Sequence, residues 1–596
     1  MASRKWSTSL FLAVLLSLVA LTGRAQSFRL QCPPSTVTHP IAANNNSEPA
    51  YNGPTQFGTA PINGASGGYV TPTSNVNGAI KCQQISGGDG LATMADGTQT
   101  YMFSFGPLSG LADVAAGQPS TQFPNVFNTV YPGALLLRGD PATTDGATSG
   151  ASPGNGGSAT PSFTWNGAIG LQPDTDALAS GTCNTAFYGP QCLDGHVDPR
   201  QIIDVGVMNG NIPAPLAAFD EDDEFFLTLT NVGMIMRPDL FEQHTVHFHG
   251  YPNASSFYDG VPDASVAINI GGSFTYYYLA PDAGTYFWHC HITPPEHLQM
   301  GMVGQLHVRP RQDRVPSGGS LYTYLAYQNG GTSTVPLLTG MAADLRTACN
   351  PATDILCSAT MPAINTGAVQ GLDKLGNPQR YTYNDGDGST AYDVEYPIQM
   401  HGFDPNFHFV GMTFNPEMFV DMKDKYFLLN GRGYPDTVTP GPQATVTTDT
   451  QMHYSQPMPA IINIPVGGRA LLRMVNLSVT EYHTLASLGI PMKEVGFMAK
   501  LLRDQGGNNT EFYTNSITLG GGESLDVILD ASDDSCRAFA GSGCSATLYK
   551  AGSTFYLYTP QLDHLSNDAE NFGGMMTEVH ICNSVSGGNT YGNKCN

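Results

Sequence analysis

The chain has 596 residues, a formal net charge of −24 and only 12% charged residues. This length exceeds what one hydrophobic core normally supports, so two or more domains are expected. The acidic balance argues against nucleic-acid or anionic-membrane partners. The 68 glycines and 42 prolines favour a strand-and-turn protein over a helical one.

The first residues have the features of an export signal. Arg4 and Lys5 precede a short apolar run at 10–21, and small residues at 23–25 offer a cleavage site. The run is shorter than the roughly 20 residues that span a bilayer comfortably, and no later segment qualifies. We therefore predict a signal peptide at 1–25 and a protein that is secreted or periplasmic, without a membrane partner.

The rest of the chain divides by composition into an irregular start and two longer blocks. Residues 26–80 are rich in Asn, Pro, Gly and Thr and predict an irregular N-terminal segment. Strand-like alternation begins near Thr98, and a Gly/Ser/Thr/Pro/Ala-rich stretch at about 107–200 predicts a long insertion. The predicted domains are 81–315, which contains that insertion, and 316–596.

Both blocks contain short aromatic and β-branched runs separated by turn residues. The first contains FFLTLTNVG, SFTYYYLA and GTYFWHCH, and the second contains KYFLLNGRGYPD and PAIINIPVGGRALLRMVNLS. The segments GGSFTYYYLAPDAGTYFWHCH and GGESLDVILD…GSTFYLYTP share an order of strand, turn and aromatic strand, which suggests an internal repeat. We predict an all-β fold of tandem Greek-key β-sandwiches with long Gly/Pro/Ser-rich loops.

The chain has eleven cysteines, so one is left over if the others form disulfides in an oxidising compartment. The remaining one is Cys290, whose two neighbours are histidines, and this favours a metal ligand over a free thiol or an interchain bond. Proximity along the chain suggests the pairs Cys32–Cys82, Cys183–Cys192, Cys349–Cys357, Cys536–Cys544 and Cys582–Cys595.

The first candidate metal motif is HTVHFHG, which begins at His244. Side chains alternate between the two faces of a strand, so His247 and His249 point the same way. Two imidazoles on one face suit neighbouring metal ions. An HxH pair alone is a weak signal, because such pairs are often structural.

The second motif is more specific, because HCH is followed by another histidine and a methionine. His289 and His291 share one face of a strand, while Cys290 points to the other face. One short strand can therefore serve two different metal sites. His297 and Met302 follow within about a dozen residues.

A thiolate, two imidazoles and a weak thioether form the trigonal ligand set of an electron-transfer copper. His244, Cys290, His297 and Met302 supply this set, with Met300 as the competing thioether. Zinc is an alternative in principle, but tetrahedral zinc sites rarely use methionine. The remaining histidines of the two motifs suit coppers that handle oxygen or another small oxidant.

These motifs resemble those of the multicopper oxidases, including laccase-like proteins, and of the related copper nitrite reductases. HTVHFHG resembles the family's HxxHxHG copper motif, and DGVPDAS with the HCH segment resembles the stretch that follows it in the first domain. FLLNGRGYPD and PAIINIPVGGRALLRMVNLS look like the next cupredoxin domain. The resemblance covers about 80–110 and 200–585, and it implies two cupredoxin-like domains with the copper ligands in the first.

The resemblance also implies an activity and a role for each matching residue. Electrons from a small-molecule or metal-ion reductant would enter at a type 1 copper and pass through the catalytic His-Cys-His segment to a type 2/type 3 copper group that reduces dioxygen. The implied type 1 ligands are His244, Cys290, His297 and Met302; His247 and His249 are type 2 or type 3 ligands, and His289 and His291 are type 3 ligands.

The spacing after the HCH motif departs from the family pattern. His297 comes seven residues after Cys290, whereas the family usually has five. Pro294 and Pro295 lie in this interval and suggest a reshaped loop, closer to the nitrite reductases. Met302 lies five residues beyond His297 and keeps the family spacing, which favours it over Met300.

The second departure is a shortage of histidines, since a trinuclear cluster needs eight and this domain offers four. Where the repeat would place HCH, the second block reads Leu557-Tyr558-Thr559. His483 lies near where an HxH might begin, but Leu485 replaces the second histidine.

His401 and His408 are the best candidates for further ligands, although such histidines are more often buried and hydrogen-bonded. If a neighbouring subunit supplies the missing histidines, a homotrimer is the natural closed assembly. Two other functions therefore stay open. One is a nitrite reductase-like enzyme with one type 2 copper at a subunit boundary, and the other is a non-enzymatic electron-transfer or copper-binding protein.

Overall fold

A computed structural model gives the fold of the protein. The predicted signal peptide, the irregular segment before residue 80 and most of the insertion lie outside the described residues, as do the cysteines of three predicted disulfides and Cys32. In the part of the chain that is described, no helix is long and apolar enough to cross a bilayer. The described residues are 80–107, 210–314, 370–446, 452–532, 548–586 and 593–596, with short gaps inside several of these ranges.

The first described half of the chain forms a β-sandwich. Its sheets have the strand orders β2-β1-β4-β6 and β3-β8-β7-β5, in which β1 runs parallel to β4, β3 runs parallel to β8, and the other pairs are antiparallel. A short helix, α1 (Pro294–Gln299), lies between β7 and β8. The strands are β1 (Ile80–Thr93), β2 (Gln99–Pro107), β3 (Ala217–Asp220), β4 (Glu224–Gly233), β5 (His247–Phe248), β6 (Ser273–Leu279), β7 (Gly284–His289) and β8 (Val303–Arg309).

The second half forms another sandwich, in which the strand orders of the first recur with further strands added at one edge of each sheet. Its strands and its helix α2 are β9 (Arg380–Tyr381), β10 (Ala391–Tyr392), β11 (Val394–Phe403), α2 (Pro405–Gly411), β12 (Tyr426–Leu429), β13 (Gln443–Val446), β14 (Met452–Gln456), β15 (Ile462–Pro465), β16 (Arg469–Asn476), β17 (His483–Leu488), β18 (Met492–Phe497), β19 (Lys500–Leu501), β20 (Phe512–Thr514), β21 (Ser516–Leu519), β22 (Glu523–Asp530), β23 (Thr554–Tyr558), β24 (Ser566–Asn567), β25 (Glu570–Asn571), β26 (Met576–Cys582), β27 (Val585–Ser586) and β28 (Lys594–Cys595).

The sheets of the second sandwich are β12-β11-β16-β22-β18-β19, with β20 also on β18, and β15-β26-β23-β17-β21. The parallel pairs β11/β16 and β15/β26 repeat β1/β4 and β3/β8. The predicted repeat is therefore confirmed, because β6 and β7 correspond in position to β22 and β23. The prediction of an all-β fold of tandem, cupredoxin-like Greek-key sandwiches is also confirmed.

Strand β1 begins before the point where strand-like alternation was recognised in the sequence. Its glycines conceal it, and two of them, Gly87 and Gly90, are required by a close neighbour. A Cβ on Gly87 would lie 2.6 Å from Cδ2 of His244, and one on Gly90 would lie 2.5 Å from the carbonyl oxygen of Gly210. A strand that must admit other groups this closely cannot show the usual β-branched pattern.

Each sandwich buries its own apolar core, and a buried ion cluster joins the two. Arg309 on β8 donates to the Glu395 carboxylate on β11 at 2.7 Å, and Arg473 on β16 donates to its other oxygen at 3.0 Å. Burial opposes ionisation of Glu395, but the arginines hold the pKa of its carboxyl well below the usual range. Thr285 also donates to Asp526 across the interface at 2.5 Å.

The cysteines of the described residues follow the prediction where it can be compared. Cys582 and Cys595 form a disulfide between β26 and β28. Cys290 is free and fully buried.

Candidate metal centre

Four short segments of the first sandwich bring the residues of the predicted type 1 set together. His244 pairs with Ile268 just before β5, and Cys290 follows the last residue of β7. The Cys290 N–H donates to the Met302 carbonyl at 3.2 Å, and the Met302 N–H donates to the His297 carbonyl at 2.9 Å. The backbone of Met302 is thus tied to both the cysteine and the second histidine.

The side chains converge on the sulfur of Cys290. Nδ1 of His297 lies 3.2 Å from Sγ, Nδ1 of His244 lies 4.0 Å from it, and the Thr245 N–H donates to it at 3.4 Å. Both imidazoles, the thiol and Met302 are fully buried. Among the described residues, Nε2 of His244 has no hydrogen-bond partner. A buried thiol faced by two imidazole nitrogens is a donor set that fits copper.

The two histidines differ in their electrostatics. Burial lowers the pKa of His244, and the neighbouring His297 lowers it further, which keeps the His244 ring neutral with a free lone pair. Burial also opposes protonation of His297, but Cys290 and Glu242 outweigh it and raise the pKa of His297 to about 9. The Glu242 carboxylate lies 3.4 Å from Nε2 of His297 and is one-quarter exposed.

The other histidines of the two motifs form a second cluster on the opposite face of β7. The ring of His247 lies 4.9 Å from those of His249 and His291 and 5.4 Å from that of His289. The Nε2 atoms of His249 and His289 are 2.7 Å apart. Strand alternation therefore separates this cluster from Cys290, as the sequence predicts.

Backbone carbonyl groups orient two of these rings. Nδ1 of His247 lies 2.6 Å from the carbonyl oxygen of Asp259, and Nδ1 of His289 lies 2.7 Å from that of Cys290. Such contacts fix the tautomer, with the proton on Nδ1 and the lone pair that can bind a metal on Nε2. Burial, together with His247 and other members of the cluster, lowers the pKa of His249 to about 4, so its ring is neutral at ordinary pH.

The four-histidine cluster opens into a cleft between the sandwiches, with a volume of about 520 Å³. The facing wall is formed by 477–482 and 520–523 of the second sandwich, including Glu481 and Glu523, and none of these residues is a histidine. The structure therefore does not bring the second half of a trinuclear cluster to this cleft within the described chain.

The two extra candidates from the second block are buried and stand apart from the cluster. Nδ1 of His408 lies 2.5 Å from the Tyr101 carbonyl oxygen, and Nε2 lies 3.0 Å from that of Gln299. His401 packs against Phe403, with ring centroids 5.2 Å apart. Neither belongs to a described group of converging metal ligands.

Two alignments made from the sequence of the second block are wrong. His483 pairs with Leu519 just as His244 pairs with Ile268, so it does not begin an HxH pair. Tyr558 pairs with Ala486 as His289 pairs with His247, so the segment that corresponds to HCH begins at Tyr558 and was misplaced by one residue. Because the second block lacks the HCH motif, its sequence has no marker for the register in which it aligns with the first block.

Comparison with known families agrees with this geometry. The family model described as multicopper oxidase matches residues 194–313. This segment contains both histidine motifs and both clusters.

Residues 194–313 are similar to a multicopper oxidase domain.

The curated relatives extend the similarity to this domain and little further. The chain is 34% identical over 109 residues to laccase abr2 of Aspergillus fumigatus, covering 18% of this chain and 17% of that protein. It is 33% identical over 135 residues to multicopper oxidase MmcO of Mycobacterium tuberculosis, covering 22% and 25%. The chain thus spans a sixth to a quarter of the length of these relatives.

Solved structures similar to the chain include an oxidase and a reductase from Nitrosomonas europaea. A blue copper oxidase has a TM-score of 0.37 and 18% identity, covering 63% of this chain and 78% of that chain. A copper nitrite reductase has a TM-score of 0.34 and 13% identity, covering 64% and 89%.

Proposed function

We propose that the protein is a copper-dependent oxidoreductase whose type 1 copper is held by His244, Cys290, His297 and Met302. The observation that carries this proposal is the buried Cys290 sulfur with two imidazole Nδ1 atoms facing it, at 3.2 and 4.0 Å. Copper bound by such a set supplies one-electron transfer.

The four-histidine cluster is the natural site for the second copper group. His289 and His291 adjoin Cys290 in the chain, so only a few covalent bonds separate the two proposed sites. The neutral rings of His249 and His289 suit metal binding, because burial lowers the pKa of each. We assign this cluster as the type 2/type 3 site, with dioxygen as the electron acceptor.

The electron donor would approach the type 1 site beside His297. That ring is fully buried, whereas Glu242 is one-quarter exposed and lies 3.4 Å from its Nε2 atom. A small reducing molecule or a reducing metal ion can therefore reach the vicinity of the ligand without entering the core. Export by the signal peptide at 1–25 belongs to the same proposal, and a homotrimer remains a prediction.

A nitrite reductase-like activity is the second candidate, because the histidines available for a larger cluster are few. The chain contains two HxH pairs, both in the first sandwich, and in the described structure the facing wall of the cleft carries glutamates. A single type 2 copper needs fewer ligands and would fit the histidines that are present.

Copper content and two turnover assays test the proposal together. The copper-loaded full chain should show a blue band near about 600 nm and should consume dioxygen when given a phenol or ferrous iron. Nitrite reduction without oxygen uptake would show that the protein is a nitrite reductase and not an oxidase. A folded, copper-loaded protein that lacks the blue band would contradict both assignments.

A further inference from the structure

The first sandwich holds His244 with a specific backbone arrangement at the end of β4. The Asn231 amide donates to the Glu242 carbonyl at 2.7 Å and to the Ile268 carbonyl at 2.9 Å. Its own Oδ1 accepts from the Gly233 N–H at 3.0 Å. These bonds fix the loop that delivers His244 to Cys290.

The second sandwich repeats this arrangement at the end of β16. The Asn476 amide donates to the Glu481 carbonyl at 3.3 Å and to the Leu519 carbonyl at 2.7 Å, and its Oδ1 accepts from the Ser478 N–H at 2.9 Å. His483 pairs with Leu519. His483 therefore occupies the position that corresponds to His244.

The other three positions of the type 1 set also have counterparts. The Thr559 N–H donates to the Met575 carbonyl at 3.0 Å, and the Met575 N–H donates to the His564 carbonyl at 2.9 Å. The same two bonds link the cysteine, the methionine and the second histidine of the first sandwich. The counterparts of His244, Cys290, His297 and Met302 are, in that order, His483, Thr559, His564 and Met575.

We call His483, Thr559, His564 and Met575 the second quartet. Its two imidazoles are arranged as a pair of metal ligands would be. The Nδ1 atoms of His483 and His564 face each other at 3.4 Å. Nε2 of His564 lies 2.6 Å from a Glu481 carboxylate oxygen, as Glu242 flanks His297 in the first sandwich. Phe427 stacks on the His564 ring, with centroids 4.0 Å apart.

A simple hydrogen bond between the two rings leaves an atom unsatisfied. The His564 Nε2–H donates to Glu481, so its Nδ1 carries a lone pair, and 3.4 Å to the other Nδ1 is longer than a normal hydrogen bond. In that arrangement Nε2 of His483 carries a second lone pair, and within the described chain this buried atom has no partner. A cation between the two Nδ1 atoms would accept the lone pairs of both rings, and the proton of the His483 ring would then lie on Nε2. A carboxylate behind one ligand is a common support for metal-bound histidine.

We propose that His483, His564 and Met575 form a second mononuclear metal site that binds cuprous copper. All three side chains are buried, and the set contains two imidazoles, a thioether position and no thiolate. Neutral nitrogen and thioether donors suit the soft monovalent ion better than divalent copper or zinc. Because Thr559 replaces the cysteine, this site gives no blue band. Glu481 links it to the cleft, since its carboxylate contacts His564 and also lines the four-histidine cavity.

Recovery of a blue absorption band in a double variant tests the geometry of the second site. Cys290→Ser removes the only free thiol among the described residues, so the single variant should lack the blue band when loaded with cupric copper. Adding Thr559→Cys should restore a band near about 600 nm, because a thiolate then joins two imidazoles and a thioether. A folded double variant that stays colourless would overturn the proposed quartet. This test is independent of turnover and of the first copper site.

Copper(I) binding tests the natural site. Titration of the full chain against a cuprous chelator under anaerobic conditions should show one equivalent fewer for His564→Leu than for the unchanged protein. Met575→Leu, which conserves volume, should weaken the same equivalent by about tenfold or more without unfolding the sandwich.

His580→Leu is the matched control, because His580 also pairs with a glutamate, at 2.7 Å from Glu578, in the same sandwich. The control should leave the cuprous stoichiometry unchanged. Equal stoichiometry in the folded His564→Leu variant, or equal loss in the control, would overturn the proposal.

Discussion

The two sandwiches share a scaffold but not their metal-binding side chains. Both sandwiches share an order of four strands in each sheet, the same hydrogen bonds from an asparagine (Asn231 or Asn476), and the same backbone bonds around the quartet. Cys290 corresponds to Thr559, and the positions of His247 and His249 correspond to Ala486 and Leu488. The fold therefore does not depend on the proposed ligands, and a few side chains on a shared scaffold distinguish the sandwich with the proposed redox site from the other.

A second difference concerns the space beside the first histidine. Gly87 lies against the ring of His244, whereas Met400 stands at the corresponding position on β11, since Gly87 pairs with Asn231 and Met400 pairs with Asn476. The ring of His244 thus occupies volume that a side chain fills in the other sandwich. The absence of a side chain at Gly87 therefore leaves space for the ring of His244, which a Cβ there would contact at 2.6 Å.

The largest expected effect comes from replacing the residue that differs between the two quartets, which is Cys290 in the first and Thr559 in the second. Cys290→Ser should abolish the blue band and lower turnover by more than about a hundredfold, because even residues that only orient metal ligands contribute 10–100-fold. Thr559→Ser at the corresponding position should leave both unchanged. Visible absorption and oxygen uptake measure the two variants; a retained band in Cys290→Ser would break the comparison.

The next effect concerns the ion cluster that joins the sandwiches. Glu395→Gln should lower the free energy of unfolding by about 3–5 kcal/mol, because it leaves Arg309 and Arg473 buried without their shared carboxylate. Glu578→Gln, at a partly exposed pair, should change it by less than about 1 kcal/mol. Urea unfolding of the two variants provides the measurement, and similar losses would argue against a special role for the interface.

The pH dependence of this contribution has a definite sign. The pKa of Glu395 is lowered in the folded state, so its stabilisation is fully present above the pKa of an unfolded glutamate, about 4.3. It is lost as pH falls towards the folded pKa. Unfolding experiments in the unchanged protein should show no loss from this group between neutral pH and pH of about 5.

A smaller effect is expected where Gly87 contacts the proposed type 1 site. Gly87→Ala would place a Cβ 2.6 Å from the His244 ring, so the ring must move. Copper affinity at this site should fall by about 10–100-fold, with a shifted blue band. The cuprous equivalent assigned to the second sandwich serves as an internal control. An unchanged spectrum would show that the ring position is not critical.

The smallest effects come from the two corresponding asparagines. Their variants should lower the free energy of unfolding equally but differ in their effect on the blue band. Asn231→Ala and Asn476→Ala each remove one buried and one partly buried hydrogen bond to a carbonyl group. Each should destabilise the protein by about 1–3 kcal/mol. Only Asn231→Ala should alter the blue band, because the hydrogen bonds of Asn231 hold the loop of His244. Parallel thermal unfolding and visible spectra compare the pair; a spectral change in Asn476→Ala would contradict the separation of the two sites.

The sequence predicts the arrangement around Cys290 because the HCH motif is local. Alternation along one strand places Cys290 on one face and its two neighbouring histidines on the other, and the structure has this arrangement. The close approach of Gly87 to His244 could not be predicted, since 156 residues lie between them in the chain. Only strand pairing brings them together.

The second quartet was missed for a different reason. Its members lack the HCH and HxH patterns, so the alignment of the two blocks slipped by one residue at Thr559. The correspondence of His564 with His297 rests on backbone bonds to Met575, and no sequence pattern reports such bonds. Register within a sheet is a tertiary property once the side-chain motif has been lost.

The central claim is that copper binds in both quartets and only the first has a thiolate ligand. Anomalous X-ray diffraction at the copper edge, from crystals of the copper-loaded full chain, locates the ions directly. We expect one peak between Cys290 and its two histidines and a peak among the four histidines of the cleft. In crystals kept reduced, we also expect a peak between His483 and His564. Copper bound elsewhere, with no peak beside Cys290, would contradict it.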